Sequence, residues 1–156
     1  MSTSQARAAF EAKRRQAHAA LRAGNAATAE VWLRALEAQA PGEVNCLWLL
    51  GVALLDQNKI DESVATLERV VARAPDFAEA GVDLARACRR AGRTAQAREE
   101  VRRVLEKLPH HHRAWLAYGD TLVDLAQFAD ARIAFDRARL TDPQRMGRGS
   151  LTARRA

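Results

Sequence analysis

Pro41, Pro75, Pro109 and Pro143 are the chain's only prolines, and each stands 34 residues after the one before. Proline lacks the backbone N–H and disfavours helix in the residue before it. A fixed 34-residue period carried by such a residue marks a helical repeat array, with each proline closing one unit. Other columns keep the same spacing. Small residues recur at Ala17, Gly51, Ala85 and Gly119, and again at Ala29, Ser63, Ala97 and Ala131. Larger apolar residues stand at Leu33, Leu67, Val101 and Phe135, and Leu36, Val70, Val104 and Ala138 follow three positions later. Gly24, Asn58, Gly92 and Ala126 form a turn column in which alanine is the odd member.

These columns describe a helix of about 14 residues, a short turn, a second similar helix and a proline-marked turn. Helices approach closely only where a side chain is small, so the two small columns predict the helix–helix contact and the larger column fills the space beside it. Alanine is the commonest residue and aromatics make up only 5%, a composition that favours helix over strand. At the boundaries, Asp76 with Glu79 predicts a capping box, Thr94 an N-cap, and Gly24 and Gly92 helix C-caps.

Charge narrows the function classes. The formal net charge is +6, but the basic excess sits mostly at one end. Residues 1–142 hold 21 basic and 19 acidic residues, a net of +2, and Arg145, Arg148, Arg154 and Arg155 supply the rest. A nearly neutral body argues against specific nucleic-acid binding, and salt-sensitive binding lost with residues 144–156 would be non-specific electrostatics. No apolar run is long enough to span a membrane, and residues 1–22 show no signal-peptide core. The expected location is the cytoplasm.

Candidate chemistry is sparse. Three consecutive histidines, His110 to His112, point in different directions on a helix and have no Cys or His partner at zinc spacing, so they read as solvated residues opening the fourth unit. Cys88 shares a column with Ala20, Leu54 and Leu122 and reads as a packing residue, whereas Cys46, near a helix start, reads as partly exposed. Trp115 reads as core, and Trp48 as the better surface candidate. No phosphate-cradling loop, catalytic triad or metal set is present, which predicts no enzyme activity, no cofactor and no metal.

The fourth unit's Trp115, Tyr118, Gly119, Leu122, Ala131, Phe135 and Pro143 resemble the tetratricopeptide repeat (TPR) motif. Leu50, Gly51, Leu54, Leu67 and Pro75 match it in the second unit, and Leu84, Ala85, Ala97, Val101 and Pro109 in the third. The first unit diverges most: Gln16 replaces an apolar residue, which suits a partly solvated terminal unit. The chain is similar to the N-terminal repeat region of bacterial TPR proteins. That resemblance implies an all-α, right-handed α-solenoid of about four helix-turn-helix units, at about 10–41, 42–75, 76–109 and 110–143. Residues 1–143 are the expected array and 144–156 a basic tail expected to be disordered.

The resemblance implies a non-enzymatic scaffold for protein binding, with first helices lining a concave groove that takes a peptide or protein. Groove candidates carried over from the family are Arg14, His18 and Arg22; Trp48, Val52 and Leu55; Arg86, Arg89 and Arg90; and Leu116, Asp120, Val123 and Asp124. Trp48 and Leu55 are the expected apolar anchors. Arg86, Arg89, Arg90 and Arg93 fall on one helical stripe, and their mutual repulsion predicts an acidic partner. Clamps for chaperone carboxylates need amide or basic groups where this chain has Leu49, Val52, Glu79 or Asp83, so that partner class is not expected. Apolar surface around Ile133, Phe135 and Leu140 is expected to stay open and allows a homodimer through the last unit. The alternative reading is the docking or regulatory region of a multidomain bacterial enzyme, such as a TPR-containing sulfotransferase, without catalytic residues of its own.

Overall fold

A computed structural model describes residues 2–145. Among the described residues, eight long α-helices span Thr3–Arg22 (α1), Ala26–Gln39 (α2), Val44–Asp56 (α3), Ile60–Arg73 (α4), Ala78–Arg90 (α5), Thr94–Lys107 (α6), His112–Asp124 (α7) and Phe128–Leu140 (α8). From α2 onward, each helix starts 34 residues before its counterpart in the next repeat. The described residues pack as two bodies of two repeats each, divided between Pro75 and Asp76.

Each first helix ends in the same way. Gly24, Asn58, Gly92 and Ala126 all have positive φ, at 82°, 63°, 74° and 58°. The N–H two residues past each cap returns to a carbonyl three residues inside it: Asn25 to Ala20, Lys59 to Leu54, Arg93 to Cys88 and Gln127 to Leu122, at 2.8–2.9 Å. This is the Schellman closure, and it reverses the chain tightly enough for the second helix to lie on the first.

The small columns sit where the helices touch. A Cβ on Gly51 would lie 2.6 Å from the Leu67 side chain, and one on Gly119 would lie 2.5 Å from the Phe135 ring. Ser63, in the other small column, donates its buried hydroxyl to the Gly51 carbonyl at 2.8 Å. In the first body the core joins Ala17, Leu33, Leu36, Leu50 and Leu54, with Phe10 and Trp48 packed against it. In the second, Leu122, Ala131 and Ala134 pack with Trp115, Tyr118 and Phe135, and Trp115 Nε1 donates to the Pro109 carbonyl at 2.8 Å.

Several local expectations are corrected. Asp76 does not cap α5: the helix starts at Ala78 after Phe77, Asp76 pairs with Lys107, and Glu79 turns to other partners. Thr94 is the first residue of α6 rather than its cap. Side-chain caps form elsewhere: Ser2 and Gln5 make a capping box on α1, the Glu43 carboxylate accepts from Cys46 N at 2.7 Å, and His111 Nδ1 accepts from Ala114 N at 3.2 Å. Cys46 is fully buried like Cys88, not partly exposed.

Ile133 and Leu140 are exposed, but so are their column mates Val31, Ala65 and Glu99, and Ala38, Ala72 and Glu106. Their exposure belongs to the outer face of every repeat rather than to an open end. Two residues do open in the fourth repeat: Phe135 is half-buried where Leu33, Leu67 and Val101 are fully buried, and Phe128 is 65% exposed where Ala26 is 8% exposed. Pro143 also differs from the other prolines: it enters a helical turn, Pro143–Arg145, with the Asp142 carboxylate accepting from Gln144 N at 2.9 Å. The expected disorder of the tail concerns, beyond Arg145, residues outside those described.

Candidate partner-binding surfaces

In the first body, α1 and α3 bring Arg14, His18 and Trp48 together. Arg14 pairs with Glu11 and lies 3.6 Å from Glu43, while the His18 ring meets the Trp48 ring edge-on, centroids 6.2 Å apart. Arg22 is exposed and Val52 half-buried. Leu55 is fully buried. It follows that Leu55 is a packing residue and not an anchor offered to a partner. Burial pushes the Glu43 carboxyl up, but hydrogen bonds from Cys46 and Asn45 more than offset it and hold the group below the usual carboxylate range. Burial, then Glu43, push the Cys46 thiol up to about 12, which leaves it no nucleophilic thiolate at neutral pH.

In the second body, α5 and α7 lie side by side and their charges interlock. Arg89 Nε donates to Asp124 at 2.7 Å, Nη2 to the other oxygen of that carboxylate at 3.2 Å, and Nη1 lies 3.3 Å from Asp120. The hydrogen bond to Asp124 raises the Arg89 pKa despite partial burial. Arg86 donates to Asp83 at 3.0 Å, and Arg113 reaches the same Asp83 oxygen at 2.9 Å. Asp83 itself is 2% exposed, so two guanidinium groups hold a buried carboxylate. The repulsion expected along the arginine stripe is therefore largely answered inside the body: Arg86 and Arg89 already face carboxylates, and the case for an acidic partner loses that support.

Sequence reasoning missed the cluster around Glu79. His111 Nε2 donates to Glu79 at 2.9 Å while its Nδ1 caps α7, which sets one tautomer, and Arg113 pairs with the same Glu79. His112 Nδ1 donates to the Ala138 carbonyl at 2.8 Å. These two histidines join elements together and are not simply solvated. The available signal was positional, since His111 shares the column of Glu43, which caps α3.

Around this charged lattice, α7 exposes Leu116 (39%) and Val123 (42%), two turns apart on the helical side that carries Asp120. Arg86 and Arg90 are exposed on α5. The arrangement offers apolar contact flanked by cations and acids. Among the described residues no His, Cys, Asp and Glu group is placed to hold a metal, and no helix is long and apolar enough to cross a membrane.

Comparison with known proteins agrees with this build. No curated protein matches the chain. Among solved structures, a thermophilic TPR protein of Thermus thermophilus, TTC0263, superposes with a TM-score of 0.79 at 16% identity, over 85% of this chain and 74% of that one. MamA superposes with a TM-score of 0.75 at 17% identity, over 88% and 81% of the two chains. A second MamA structure, from AMB-1, gives 0.72 at 23% identity over 84% and 78%. These likenesses establish the fold. The family model described as tetratricopeptide repeat matches residues 20–81, 54–110 and 89–153, and with that match across most of its length the chain belongs to the tetratricopeptide repeat family.

Proposed function

We propose that the protein is a non-enzymatic interaction module that holds a peptide or protein segment against α5 and α7. The carrying observation is the pair Leu116 and Val123, exposed on the α7 face beside the ion pairs of Arg89 with Asp120 and Asp124. Exposed apolar residues ringed by polar groups supply contact area at the centre and orientation at the rim. Arg86 and Arg90 stand on the neighbouring helix, where a partner's carboxylates or backbone carbonyls can reach them. In the first body, Arg14, His18, Trp48 and Val52 on α1 and α3 offer further contacts to a partner.

Affinity capture from lysate of the source organism tests this. Proteins retained by the wild type should be lost from the Leu116→Lys/Val123→Lys and Arg86→Glu/Arg90→Glu variants while both remain helical by circular dichroism. Equal retention by the folded variants rejects the assignment of this surface.

A further inference from the structure

The first repeat breaks the burial pattern of the others on one side. Arg15, Gln16 and Ala19 of α1 are exposed, whereas Leu49, Leu50 and Ala53 on α3 and Asp83, Leu84 and Ala87 on α5 are buried in the same columns. Arg15 and Gln16 are polar replacements suited to water. Trp32 is not. It stands in α2 at 42% exposure, in the column of Thr66, Glu100 and Ala134, which are 9%, 8% and 1% exposed. A small residue would have served a merely solvated end, and the chain has its largest apolar side chain there instead.

Trp32 lines a cleft of about 320 Å³ between α1 and α2, with Leu36 and Ala35 as apolar wall and Lys13, Gln16 and Gln39 as polar rim. Along α1 the surface continues into a shallower hollow lined by Arg15, His18, Ala19, Arg22 and Ala23. The charge of this side is one-signed. Arg34, Lys59 and Arg69 in α2 to α4 are ion-paired and Arg73 is bonded to the Gly42 carbonyl. Lys13, Arg15 and Arg22 have no carboxylate partner among the described residues. The cations of the first body that lack a carboxylate or carbonyl partner are thus gathered on α1.

We infer that this end face of the first repeat is a second docking site, for an acidic protein segment that inserts a large apolar side chain beside Trp32 and lays carboxylates against Lys13, Arg15 and Arg22. Charge selects the occupant: a second copy meeting this face with its own α1 would set cations against cations. The concave cleft selects the class, since a volume at the small end of ligand sites, roughly 300–1,000 Å³, receives a side chain where a flat bilayer would leave it empty.

The test is selection of a phage-displayed random 16-residue peptide library on the full-length protein, then titration of the enriched peptides. Enriched sequences should combine Asp or Glu with a large apolar residue. Their affinity should fall by about tenfold or more both in Trp32→Ser and in Arg15→Glu/Arg22→Glu, whose positions are exposed and leave the fold intact. The inference is overturned by no enrichment, by peptides that bind both variants as tightly as the wild type, or by Arg15-dependent sedimentation with phosphatidylserine vesicles in place of peptide binding.

Discussion

Gly119 shows how little space separates the helices of a repeat. Its α-hydrogen faces the Phe135 ring, and a Cβ there would stand 2.5 Å from Phe135 Cε1. Gly119→Leu should destabilise the protein by about 1–3 kcal/mol, the usual penalty of overpacking, read as a lower denaturant midpoint with unchanged slope. A midpoint equal to wild type would show that the two helices do not meet there. Glu30 makes a different kind of contact. Lys59 is the main cause that holds its carboxyl low, burial opposes it, and Gln57 and Arg34 assist, so that it sits at about 2 against an ordinary 4.5. A depressed carboxyl contributes stability that is present above the ordinary value and lost as pH falls through the folded one. Wild-type stability should therefore fall more steeply between pH 4.5 and 2 than that of Glu30→Gln, and parallel curves would contradict the assignment. The glycine contact was legible in the sequence because a 34-residue period repeats it. The Glu30 cluster was not, because Lys59 and Gln57 are brought to it only by the folding of α3 and α4.

At the scale of the helix, the turn column carries the architecture. Gly24 and Gly92 adopt positive φ without steric penalty, whereas Ala126 holds φ 58° with a Cβ. Left-handed backbone costs an L-residue about 1–2 kcal/mol, and glycine returns part of that as chain entropy, so Ala126→Gly should stabilise by up to about 1 kcal/mol. A thermal midpoint unchanged or lowered would mean that the α7–α8 turn does not carry this strain. Helix starts were harder to read than helix ends. The Asp76/Glu79 pattern satisfies the capping-box rule, yet α5 begins two residues after Asp76, because the 34-residue register starts α3, α5 and α7 directly after the column of Glu43, Phe77 and His111. Phe77 provides no side-chain acceptor, and Glu79 is drawn to His111 and Arg113. Tertiary pairing overrode a local motif. Two of the three histidines at the α7 start also take structural roles that the spacing of metal ligands could not suggest.

Across the molecule, period and small columns were enough to read the four repeats, since both arise from a packing problem solved four times. The surfaces were only partly legible. Family register placed Arg86, Arg89, Leu116, Asp120 and Asp124 on adjacent helices, but it could not tell that Arg89 would meet Asp120 and Asp124 or that Leu55 would be buried. Side-chain pairing of that kind depends on the neighbouring helix and not on the repeat consensus. Charge patterning along one helix was likewise an incomplete guide: Arg86 and Arg89 of the arginine stripe are matched by carboxylates within α5 and on α7. The proposed interaction role rests on the exposed apolar pair of α7 set within this charge lattice.

Hydrogen exchange of the protein with and without a captured partner tests that role most directly. The account predicts added protection in α7, His112–Asp124, and in α5, Ala78–Arg90, that disappears in Leu116→Lys/Val123→Lys. Protection absent from both helices, or retained unchanged in the folded variant, would contradict it.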